Sequence, residues 1–270
     1  MSKEKKESEI SELWPGQSTE LLKLLHILTR EGRLNQDSRR KLKQVQHLVQ
    51  LITPHLAEMK SLADMGAGKS YLGFMLYDLF LREQEESHLY AVEKRSDLVM
   101  ACREIANRSG FERISFVESD IFAASSAPEF ANGVDAVTAL HACDTATDEA
   151  IAFALACHAK VIALVPCCQA EVARLLEKIP LQGREDVHPL WRHGIHRREF
   201  GSHLTNVIRT LFLESKGYKV RVTELIGWEH SMKNELILAT RVQHTNHRAK
   251  RDLEVLLERF PLPMRLFDLV

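Results

Sequence analysis

Apolar positions recur first at helical spacing and then in short runs that alternate with helical stretches. Leu21, Leu22, Leu24, Leu25 and Leu28 lie on one stripe, and Val45, Leu48, Val49 and Ile52 on another, which predicts two helices in the first 57 residues. Asp37-Ser38 reads as the N-cap of the second, and Pro54 falls near its end. From about residue 59 the pattern predicts strands near 60–64, 88–93, 114–118, 134–140 and 160–165, with helices near 69–83, 95–108, 146–157 and 169–178. Residues 179–201 carry Pro180, Gly183, Pro189 and Gly194 and are expected to be irregular. A helix over 202–216 and strands over 218–226 and 235–242 complete the count.

Strand–helix alternation of this kind predicts an α/β fold, a parallel sheet covered by helices on both faces. The division expected is a charged tail and helical extension over 1–57, a sheet domain over 58–245 and a helical tail over 246–270. A length of 270 residues with 45% hydrophobic content suits such a fold.

Candidate chemistry concentrates where the first strand hands over to a helix, at Asp64-Met-Gly-Ala-Gly-Lys-Ser70. Two glycines there permit a tight turn, and the following helix offers unpaired N–H groups. As a phosphate loop the stretch supplies Gly68-Lys69-Ser70, but Ala63 stands where the first glycine belongs and Asp64 lies inside the cradle. Asp64-x-Gly66-x-Gly68 fits instead an acidic loop for S-adenosylmethionine, whose sulfonium and amino group favour a carboxylate. Glu93 ends the second strand 25 positions after Gly68, at the place where an acidic side chain holds ribose hydroxyls. Asp120 follows the third strand, where an adenine amino group is expected.

These stretches resemble the class I S-adenosylmethionine-dependent methyltransferases. More narrowly, the chain is similar to a methyltransferase-domain family related to tRNA acceptor-stem 2′-O-methyltransferases, through residues 40–47, 64–72, Leu140-His-Ala-Cys-Asp-Thr-Ala-Thr-Asp148, Val165-Pro-Cys-Cys168 and Lys233-Asn-Glu-Leu-Ile237. The resemblance implies a Rossmann-like, seven-stranded, mostly parallel sheet that ends in an antiparallel C-terminal hairpin. It also implies S-adenosyl-L-methionine as cofactor, bound by Asp64, Gly66, Gly68, Glu93, Asp120 and Leu140.

His141 and Asp144 follow the fourth strand and are the expected catalytic pair, orienting the methyl acceptor; Asp144 also reads as a cap for the helix at Thr145. His141, Cys143, Cys167 and Cys168 lack zinc-finger spacing, so no metal is expected and the cysteines read as pocket wall. Trp191, Arg192, His193, Arg197 and Arg198 combine positive charge with an aromatic, as RNA phosphates and bases require. Two further basic clusters, Arg39 to Lys43 and His244 to Arg251, strengthen RNA as the expected substrate over a protein or small molecule. A phosphate-loop NTPase and a non-catalytic cofactor-binding scaffold are the alternatives from other classes. The net charge of −1 announces neither nucleic acid nor membrane. Five cysteines without a C-x-x-C and no apolar leader point to the cytoplasm, with no membrane association and no obligate protein partner.

Overall fold

A computed structural model describes residues 12–140, 142–166, 169–225, 235–242 and 245–270. Seven strands, β1 (Ser61–Met65), β2 (His88–Glu93), β3 (Ile114–Glu118), β4 (Ala136–Leu140), β5 (Val161–Val165), β6 (Tyr218–Glu224) and β7 (Glu235–Arg241), form one sheet in the order β3-β2-β1-β4-β5-β7-β6. β1 to β5 run parallel, and β7 is antiparallel to both neighbours, β5 and β6. The expected fold class is thus observed, including the antiparallel final pair. Strand order reverses between β1 and β4, so the carboxyl ends of these two strands open the crevice in which open α/β sheets bind ligands.

The helices are α1 (Thr19–Leu24), α2 (Gln36–Ile52), α3 (Tyr71–Leu79), α4 (Ser96–Arg108), α5 (Ile121–Ala124), α6 (Thr145–Ala156), α7 (Glu171–Lys178), α8 (Gly194–Ser215), α9 (His247–Arg259) and α10 (Arg265–Asp268). Alternate strand residues serve two cores. Leu62, Leu89, Ala91, Val161 and Leu236 pack with α1 to α4, whereas Met65, Val92, Val137, Ile162 and Ile237 pack with α6 to α9. Strands buried on both faces explain the continuous apolar runs in the sequence.

Three local expectations are corrected. The N-cap of α2 is Asn35, whose side chain accepts from the Ser38 N–H, while Asp37 sits in the first turn and favours the helix dipole. The first leucine stripe is helical only to Leu24, because His26 turns left-handed at φ 56°. The Ile27 N–H then bonds to Leu22 O at 2.9 Å and the His26 N–H to Lys23 O at 3.0 Å, a Schellman turn that keeps Ile27 and Leu28 buried. Finally, the segment expected to be irregular becomes helical at Gly194, since its prolines all precede that point.

Candidate active site

The glycine turn follows β1. Gly66 and Gly68 have φ of 61° and 58°, in the left-handed region that side chains disfavour. The turn is pinned to β2 by the Ala67 N–H, which donates to Val92 O at 2.9 Å, and by the Gly68 N–H, which donates to Glu93 Oε2 at 2.8 Å. Glu93 Oε1 accepts from the Arg95 N–H at 3.0 Å. Each carboxylate oxygen has two lone pairs, so both retain acceptor capacity toward a ligand. Asp64, Gly66, Gly68, Glu93 and Leu140 line one cavity of about 350 Å³, together with Lys69, Tyr71 and Arg95. Five of the six residues expected to bind the cofactor therefore converge. Asp120 is not among the lining residues; its carboxylate caps α5, accepting from the Phe122 N–H at 3.2 Å.

Asp64 is 2% exposed. Oδ1 accepts from Thr138 Oγ1 at 2.9 Å, and the Gly73 N–H in the first turn of α3 also favours the ionised form. Burial outweighs both and pushes the carboxyl up to about 7. Close approach here requires glycine at 73: a Cβ would lie 2.5 Å from Ser70 Oγ and 3.3 Å from Asp64 Oδ2. Ser70 Oγ is itself buried without a hydrogen-bond partner among the described residues. A triphosphate beside this carboxylate would be repelled, so the phosphate-loop reading does not fit. A ligand with a positive centre compensates the buried acid, while Lys69 suits a carboxylate on the same ligand and Arg95 pairs with Glu93 at 3.8 Å. A larger cavity of about 840 Å³ lies between the N-terminal extension and α4, lined by helical and loop residues away from the glycine turn.

Beyond β4 the arrangement departs from expectation. Asp144 makes no side-chain cap for α6. Its Oδ1 instead accepts from the Ala170 and Glu171 N–H groups, each at 2.9 Å, and Oδ2 pairs with Arg174 Nη2 at 2.9 Å. Burial alone would raise its pKa, but Arg174 and the two N–H groups hold the carboxyl below the usual range. Asp144 therefore caps α7, with its backbone at φ 54° and ψ −121°. Such strain persists where the surroundings over-determine it, and here Arg209 Nη2 fixes the Asp144 carbonyl at 2.8 Å. The same guanidinium grips Asp148 at 2.7 and 3.0 Å, both residues being essentially inaccessible. His141, Cys167, Cys168, Lys233 and His244 lie outside the described residues.

The basic segment is only partly free. Arg197 pairs with Glu177 at 3.1 Å, Arg198 with Glu199 at 2.9 Å, and Arg192 Nε donates to His193 Nε2 at 3.1 Å. Trp191 is 2% exposed and stacks on Phe200, so it anchors the segment and offers no face to a base. Helix α8 is tied to the sheet edge at Asn206, which donates to Glu235 at 2.7 Å. About 18 Å of helix lies N-terminal to that tie, at 1.5 Å per residue, and carries Arg197 and Arg198. Gly201 allows α8 to approach α7 there, since a Cβ would lie 2.8 Å from the Ala173 nitrogen. On the other flank, Lys41 of α2 sits 4.0 Å over the ring of Tyr71, a cavity residue.

The fold is similar to those of solved methyltransferases. A candidate O-methyltransferase from Klebsiella pneumoniae is similar in structure, with a TM-score of 0.53, 16% identity, and 87% of this chain and 94% of that chain covered. An SAH-bound methyltransferase from Podospora anserina gives 0.48, 14%, 84% and 88%. The SAH-bound magnesium protoporphyrin IX methyltransferase from Synechocystis gives 0.48, 13%, 84% and 95%. No curated protein matches the chain significantly. Residues 40–175, half of the chain, match the methyltransferase-domain family, and the chain belongs to it as a class I S-adenosylmethionine-dependent methyltransferase.

Proposed function

We propose that the chain methylates RNA, a tRNA or an rRNA, from S-adenosyl-L-methionine bound at the glycine turn. The substrate class rests on two basic surfaces, one of them in contact with the cavity wall. One is the N-terminal half of α8 with Arg192, His193, Arg197 and Arg198; the other is the start of α2, where Lys41 covers Tyr71. Two separate patches of positive charge suit an extended polyanion. Ion pairs with Glu177 and Glu199 temper this surface, and phosphates would compete with those exposed acids at small cost.

Bound at the turn, the cofactor supplies an electrophilic methyl group on sulfonium. Asp64 would face its positive end, Glu93 would accept from its ribose hydroxyls, and Leu140 would pack against it. Lys69 would be available to its carboxylate, while Arg95 pairs with Glu93 at 3.8 Å. Most of the rate gain comes from holding donor and acceptor in line.

The test is transfer of labelled methyl from the cofactor onto total RNA against total protein. Label on RNA supports the reading, and label on protein alone overturns it. Replacing Arg192, Arg197 and Arg198 by glutamine is expected to flatten the salt dependence of RNA binding by one to three units of log–log slope, about one per lost phosphate contact.

A further inference from the structure

A second polar assembly occupies the carboxyl edge beside β5. Gln169, 2% exposed, donates to the Pro166 carbonyl at 3.3 Å and to Asn206 Oδ1 at 3.2 Å, and its oxygen accepts from Ser202 Oγ at 2.7 Å. Asn206 in turn donates to Glu235 Oε2 at 2.7 Å. The network fixes each amide in one orientation: with its oxygen already accepting, Asn206 must turn its nitrogen to the carboxylate. Three buried neutral side chains thus end on one half-buried acid, whose Oε1 has no hydrogen-bond partner among the described residues. Buried polar chains of this kind rigidify what they hold.

Neighbouring acids around the β4 and β5 ends are already engaged. Asp144 caps α7 and pairs with Arg174. Asp148 is closed off by Arg209. Glu171 accepts from the Arg265 N–H at 2.7 Å through one oxygen, and its other oxygen, without a partner among the described residues, is buried out of reach. Glu235 has both a spare oxygen and access.

Its place in the sheet is also suitable. Leu140 pairs with Val165 and Leu164 with Ile237, so continuing the register sets Glu235 opposite Pro166, one residue beyond the row that holds Leu140. Two strand spacings, about 10 Å, separate it from β4, whose end lines the cofactor cavity. An acceptor lying over β5 spans that gap.

We infer that Glu235 is the catalytic carboxylate that receives the acceptor, positioned by Asn206 through Gln169 and Ser202, and that the acceptor group is a hydroxyl. Glu235 Oε1 can accept the O–H of a hydroxyl, whose oxygen must shed that proton as it takes the methyl group. In the transfer, the hydroxyl oxygen forms the bond to the methyl carbon and the S–CH₃ bond breaks with its electron pair moving to sulfur. The thioether leaves neutral, and the hydroxyl proton passes to Glu235 and on to water. That the hydroxyl belongs to RNA rests on the function proposed above; the role of Glu235 does not.

The full chain is assayed on whichever fraction it labels, so an RNA failure and a Glu235 failure are read separately. Glu235→Gln keeps an oxygen for Asn206 and is expected to lower kcat by about 10²- to 10⁴-fold, the usual contribution of a positioned base. Its cofactor Kd by calorimetry and its melting temperature should stay at wild-type values. Asn206→Ala should lower kcat by a smaller factor and move the pH–rate profile, which a purely structural role would not. A Glu235→Gln enzyme within threefold of wild-type kcat, a parallel loss of cofactor affinity and folding, or label on a base nitrogen would each overturn the inference.

Discussion

Asp64 makes the sharpest demand on solution behaviour. Its carboxyl is raised from 3.8 to about 7 by burial, so ionising it costs the folded protein about 4 kcal/mol at pH 8. Between these two values the folded state binds more protons than the unfolded state, and stability falls as pH rises. The group's stabilisation is complete below 3.8, declines by about 2 kcal/mol from pH 5 to pH 7, and is gone above about pH 8. Asp64→Asn removes the titration and keeps an oxygen for Thr138, at a loss of about 1 kcal/mol for the contact near Gly73. At pH 8 the ligand-free variant should therefore be up to about 3 kcal/mol more stable than wild type. Urea denaturation from pH 5 to pH 8.5 measures both the gain and the lost slope.

Cofactor affinity should move the opposite way. A positive centre beside Asp64 requires the ionised acid, whose population rises about tenfold from pH 6 to pH 8 for a pKa near 7. Calorimetry should show wild-type affinity rising by that factor relative to Asp64→Asn, with the cofactor's own amino group cancelling in the ratio. A variant that is less stable than wild type at pH 8, with an unchanged pH slope, would refute the argument. So would equal affinities at every pH.

Other expectations follow from the helices beyond β4 and β5. Arg209→Met should destabilise by about 3–5 kcal/mol in urea melts, because Asp148 would be left buried without its partner. Gly201→Ala should cost about 1–3 kcal/mol, since the added methyl meets the backbone of α7 rather than a movable side chain. Asp144→Ala should lose about 1 kcal/mol as an uncapped α7, visible in the melting temperature, while Asp144→Asn retains the capping oxygen and most transfer activity. The Asp144 carboxyl is depressed, so its stabilisation is present above pH 3.8 and is lost as pH falls through the folded value; Asp144→Asn should flatten that acid limb.

The contrast between the two halves of the site explains what the sequence could reveal. Donor-side residues are set by local rules: glycines at positive φ must stand in the turn, an acid must end β2, and apolar runs must mark strands buried on both faces. Asp64, Gly66, Gly68 and Glu93 are accordingly legible from spacing alone. Contacts around the ends of β4 and β5 join positions far apart in the chain: Asp144 to Ala170, Gln169 to Asn206, Asp148 to Arg209. No periodicity encodes such pairs, and an Asp before a helix reads as that helix's cap whether or not another helix claims it. Gln169, Ser202 and Asn206 were missed for this reason, though one signal was present. Uncharged polar side chains at 202, 205 and 206 interrupt a helix whose neighbours Leu204, Ile208 and Phe212 are core; Thr205 donates back to the Gly201 carbonyl at 2.7 Å, whereas the Asn206 amide needs partners beyond its own helix. Trp191 erred in the opposite direction: flanking charge suggested exposure, whereas Phe200 and Phe260 gave the indole a buried seat. Charge along a segment describes its solvated face, and only packing decides which aromatic turns away from it.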